Sequence, residues 1–144
     1  MGNYITRADV DARLRRNYDT LYTRDGAVDT AVVDADIAAA EAEVDGHLAQ
    51  RYAVPVTAAG ALPLLKHWAL TLLEDLAYGA IPGREVPKHI TARVEAVRKQ
   101  LASAAEGKLS LGAATVPDER PAAAENLLVD GAAPEFQRSD LEAW

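Results

Sequence analysis

The stretch LPLLKHWALTLLEDLAY, residues 62–78, decides the fold. Leu64, Leu65, Trp68, Ala69, Leu72, Leu73, Leu76 and Ala77 recur at helical spacing and cover most of the circumference of a helix. A helix that is apolar on nearly every side has to be surrounded, so this one is predicted to be the central element. Pro63 suits its first turn, where a missing N–H costs nothing. Lys66, His67, Glu74 and Asp75 interrupt the run, which marks a buried helix rather than a membrane span; no membrane partner is expected. His67 stands beside Trp68 with no Ser, Cys or metal-ligand pattern near it, and it reads as an edge histidine rather than a catalytic base.

On the N-terminal side, Val33, Ile37, Ala40, Val44 and Leu48 form one stripe and predict a helix from about Thr30 to Tyr52, stopped before Pro55. Its acids, among them Asp34, Asp36, Glu41, Glu43 and Asp45, fall mostly outside the stripe and are expected to form a solvated face. Before it, Asp25-Gly26 is the pivot of a turn, with Asp29 as the cap of the helix that follows. The turn has the outline of a calcium loop. Leu21 and Thr23, however, occupy the first ligand positions, so no bound calcium is expected. A first helix begins at Thr6, a cap with Asp9 three residues on, flanked by Ile5 and Val10 as a hydrophobic staple. Val10, Leu14 and Tyr18 are expected to continue one face, with Arg13, Arg15 and Arg16 on the others.

On the C-terminal side, Ile81-Pro-Gly-Arg84 is a break, and Ile90, Val94, Val97 and Leu101 predict a helix from Pro87 to Ala105 that stops at Gly107. The fold class is therefore all-α, a four-helix body over residues 1–112. Residues 113–144 carry Pro117, Pro121, Pro134 and many acids, and are expected to form an extended docking tail unable to bury enough surface to fold alone. The tail nonetheless holds two apolar clusters, Leu127-Leu128-Val129 and Phe136 to Trp144.

Charge separates these parts. The chain carries −7; the tail has seven acids against two arginines, which leaves −2 for the body. The helix around Asp29–Arg51 is near −5, and the segment Arg84–Lys108 is near +3. Such helices can pair within a subunit or between subunits. Pairing between subunits nominates Asp34, Glu41 and Asp45 against Arg93, Arg98 and Lys99 as a ring interface. An acidic chain of this kind is not built to grip nucleic acid over its whole surface.

The chain has no cysteine, which removes disulfides, thiolate metal sites and cysteine nucleophiles. It has no Gly-rich phosphate loop, and its histidines, His47, His67 and His89, fall on three different predicted helices. No catalytic, cofactor-binding or metal site is expected, and the protein reads as an assembly protein rather than an enzyme.

The order of segments resembles that of the Mu-like phage and prophage structural proteins. The residues that carry the likeness are Tyr4-Ile-Thr6, Thr23-Arg-Asp-Gly26, Val44-Asp-Gly-His-Leu-Ala-Gln-Arg-Tyr52 with Val54-Pro-Val56, and Leu62-Pro-Leu-Leu-Lys66. Glu106-Gly-Lys-Leu-Ser-Leu-Gly112 and Phe136-x-Arg138-x-x-Leu141 follow in the same order. The turn at Asp25 departs from that family's richer Asp-Gly-Asp-Gly form. The family is similar to head–tail connector adaptors, which implies a virion neck protein made in the host cytoplasm. It further implies a ring of copies on a twelve-fold portal, with DNA only as passing cargo. The tail residues Leu127, Leu128, Val129, Phe136, Arg138, Leu141 and Trp144 would then bind the portal or an adjacent neck or tail protein. A tail-completion or head-closure protein of the same neck is the nearest alternative, and a non-viral regulatory binding module the next.

Overall fold

In the computed structural model, which describes residues 2–112, the chain forms α1 (Arg7–Leu14), α2 (Arg16–Tyr22), β1 (Thr23–Arg24), β2 (Ala27–Val28), α3 (Thr30–Leu48), α4 (Leu62–Gly79) and α5 (Lys88–Ala105). The all-α class is as expected. The tail residues from Leu127 to Trp144 lie outside the described residues.

Thr6 caps α1 through a capping box with Asp9, and Ile5 and Val10 on either side of the cap are fully buried. The expected single first helix is two. It breaks at Arg15, whose φ of 51° and ψ of −121° suit glycine rather than a branched chain. Burial explains the break. Leu14 closes α1 on the core, and Leu21 and Tyr22 are both buried at the end of α2. A straight helix carrying Val10 and Leu14 inward would turn one of the later pair outward, so the chain accepts a corner of the kind that costs about 1–3 kcal/mol.

The Asp25-Gly26 pivot joins a two-stranded antiparallel hairpin, Thr23 opposite Val28 and Arg24 opposite Ala27. Both turn residues have positive φ, 50° and 87°, the shape of a type I′ turn. The side chain of Asp29 then caps α3, accepting from the amides of Ala31 and Val32. α3 ends at Leu48, short of the expected Tyr52; a last turn bonds Tyr52 N–H back to Leu48 O, and Tyr52 remains buried.

The three long helices pack on one another with α4 in the middle, and α1 and α2 lie against α3 and α4. Cross-links between named residues give their directions. Trp68 Nε1 donates to Gln100 Oε1 at 2.7 Å, and Arg93 meets Glu74 at 3.3 Å, so α4 and α5 are antiparallel. Arg98 pairs with Glu43 at 2.8 Å and Arg51 stands against Gly107, so α3 and α5 run in the same direction. The stripes read from the sequence (Val33 to Leu48, Leu65 to Ala77, Ile90 to Leu101) line the shared core. Leu76 departs from expectation and stays exposed, although it follows Leu72 and Leu73 by four and three residues. The turn after α5 closes with Lys108 N–H on Ser103 O, 2.8 Å, while Gly107 takes a φ of 77°. A Cβ at Gly107 would displace the Arg51 guanidinium, the movable end of a long side chain, so the positive φ is the stronger reason for glycine there.

Candidate functional site

α3 presents its acids in two groups: Asp34, Glu41 and Asp45 line one groove, and Asp36 and Glu43 lie apart from it. Glu41 was expected on the solvated face; it is buried, only 5 % exposed. It lies four residues after Ile37 and three before Val44, and therefore on the edge of the apolar stripe. Its carboxylate accepts three backbone amides from the incoming N-terminal segment: Asn3 at 2.7 Å, Tyr4 at 2.7 Å and Ile5 at 3.0 Å. Those amides precede α1 and have no helical partner, so one carboxylate satisfies a strand's worth of orphan donors.

Tyr4 extends the clamp. Its hydroxyl donates to Asp45 Oδ1 and accepts from Val56 N–H at 2.9 Å, tying the N-terminal segment to both α3 and the loop after it. Burial, with the help of the Asp45 hydrogen bond, pushes the Tyr4 phenol up from its ordinary value. Asp45 is itself raised, chiefly by burial and against the favourable bond from Tyr4. Asp34 forms an ion pair with Arg7, which holds its carboxyl below the usual range. Together Asp34, Glu41 and Asp45 line an open groove of about 360 Å³, with Ile37, Ala38 and Ala42 as its apolar floor. The structure thus brings the three acids nominated for the ring into one place.

The three nominated bases are spread along α5 and are unequal. Arg98 is spent on Glu43 of its own subunit, a pairing within the chain. Arg93 and Arg13 both reach the buried Glu74, at 3.3 and 3.2 Å, which joins α1, α4 and α5 through one carboxylate. Lys99 is exposed. Glu74 looked like a break in an apolar run; its two arginine partners come from 61 residues earlier and 19 later, a meeting that no local pattern announces.

Asp36 is half-buried and accepts from Tyr22 Oη at 2.9 Å. Its carboxyl is raised, mainly by burial and in part opposed by the tyrosine bond. A carboxyl with a raised folded-state pKa contributes stability that is full below the unfolded value, about pH 3.9, and lost as pH rises through the folded value. Asp36→Asn keeps an acceptor for Tyr22 without the charge. It is expected to melt above wild type near pH 7 and level with it below about pH 3. Thermal melts across that interval check the sign.

Among the described residues, no group of three or more His, Asp or Glu is placed to hold a metal ion, and no helix is long and apolar enough to cross a membrane. His89 begins α5 and His47 ends α3, at opposite ends of the bundle.

No curated protein matches the chain. A family match runs past the last described residue and takes in Leu127–Val129, leaving Phe136 to Trp144 outside it. With residues 4–129 matched, the chain belongs to the phage family described as Bacteriophage Mu, Gp36.

Proposed function

We propose that this phage protein is a structural component of the virion neck, an adaptor that forms a ring between portal and tail and holds its neighbours through residues 113–144. One observation carries the reading. A helical body ending at a closed turn, with Leu111 buried, is followed by an acidic, proline-bearing segment whose large apolar residues fall in two clusters. Such clusters gain free energy only when something covers them. Phe136, Leu141 and Trp144 are suited to act as interface anchors, with Arg138 meeting a carboxylate.

Side-by-side packing in the ring sets the acidic groove of α3 toward the basic α5 of the next copy. Arg93 and Arg98 already have partners at home, and exposed ion pairs contribute little, so Lys99 supplies register and apolar edges most of the energy. The protein acts without catalysis in this account.

Deleting residues 134–144 tests it. The truncated body is expected to keep its melting temperature while phage assembly stops at tailless heads and unattached tails. A truncation that unfolds the isolated protein, or that leaves assembly untouched, overturns the proposal.

A further inference from the structure

Three large apolar side chains stay exposed among the described residues: Val54, Leu62 and Leu76. Two of them, Val54 and Leu62, belong to one end of the bundle, within a run from Tyr52 to Leu65 that contains no charged residue. In a chain that is 26 % charged, fourteen uncharged residues at a loop are unusual. The loop is held rather than loose. Tyr52, Val56 and Ala61 are buried, and Val56 N–H is fixed by Tyr4 Oη, so that Ala53, Val54 and Pro55 are presented outward between two anchors.

The chain leaves the bundle at this same end. The pairs Glu74–Arg93 and Trp68–Gln100 run antiparallel and carry the end of α5 back to the start of α4. Gly107 rests against Arg51, one residue before the uncharged run, and Leu111 is buried just beyond. From Gly112 to Leu127 there are fifteen residues, enough to span about 50 Å. α4 itself, at 18 residues, is only about 27 Å long.

We infer that Leu127–Val129 of one copy docks on the uncharged loop end, around Val54 and Leu62, of a second copy. This rests on the reading above only in assuming that copies meet. Three features select this occupant. The triplet is a run of three large aliphatic side chains in an acidic segment, and it meets the uncharged stretch of the body. Both stretches fall inside the span 4–129 that matches the family, whereas Phe136 to Trp144 do not. The linker is also long enough to carry the triplet past its own subunit. When the copy that receives a tail differs from the copy that gives one, the contact is heterologous, and it forms a ring where the rotation between copies closes.

The absence of native cysteine makes the test direct. Purified full-length Val54→Cys and Leu128→Cys variants are mixed and treated with a short bismaleimide cross-linker. The expected product is a covalent dimer with one of each chain, several-fold more abundant than from Ala80→Cys mixed with Leu128→Cys, Ala80 being exposed at the other end of α4. Leu62→Cys replaces Val54→Cys where the latter disturbs the loop. Equal yields from the two mixtures overturn the inference. So does an intramolecular cross-link in the Val54→Cys/Leu128→Cys double variant in place of the dimer. Because no phage is involved, either failure leaves the neck assignment to its own deletion test.

Discussion

Trp68→Ala is expected to destabilise the isolated protein by about 3–5 kcal/mol. The indole is fully buried on α4, the helix that touches every other, and it is the largest of the fully buried side chains. Its removal loses the transfer free energy of the ring and leaves a hole that α3 and α5 cannot both close. The lost hydrogen bond adds less, because Gln100 is exposed and its Oε1 returns to water. Equilibrium denaturation measures the total. A loss under about 1 kcal/mol would mean that α4 is not the centre of this core.

Glu41→Ala is expected to cost about 3 kcal/mol through a different mechanism, and to do so locally before globally. The alanine leaves the amides of Asn3, Tyr4 and Ile5 without an acceptor, two of these bonds being buried. It also releases the segment that carries Tyr4 to Asp45 and Val56. Hydrogen exchange should therefore accelerate first at residues 3–5 and at Val56, with the α4–α5 amides protected until global unfolding. Glu41→Gln keeps one acceptor oxygen but turns an NH₂ toward backbone donors, and its cost should fall between wild type and alanine. Unchanged exchange at residues 3–5 in Glu41→Ala would show that the carboxylate does not hold the segment.

The long helices were legible because burial in them follows simple periods. Val33, Ile37, Ala40, Val44 and Leu48 lie on one face whatever that face meets. Caps were legible for the same local reason: Thr6 with Asp9, Asp29 before α3, and Gly107 after α5 each solve a problem set by their own helix end. The corner at Arg15 was not, since nothing in Leu-Arg-Arg-Asn demands a break; it is imposed by where Leu21 and Tyr22 must go. Glu41 and Glu74 show the limit from the other side. Charge suggested solvent, while their spacing within the apolar faces pointed inward, and spacing prevailed because each found enough donors in distant segments. A carboxylate on the apolar side of a stripe is thus better read as a clamp awaiting amides or arginines than as surface charge. Of the nominated ring residues, the acidic trio proved to share a groove, a consequence of helical spacing alone. The partners of Arg93 and Arg98 depended on tertiary contacts and could not be read in advance.

The central claim, that this chain is a neck component built into the particle, is tested most directly by imaging intact virions at a resolution that traces side chains. The account predicts copies of the α3–α4–α5 bundle in a ring beneath the portal, with residues 127–129 of each copy against the Val54–Leu62 end of the next. Finding the protein absent from the particle, or located away from the junction of head and tail, would contradict it.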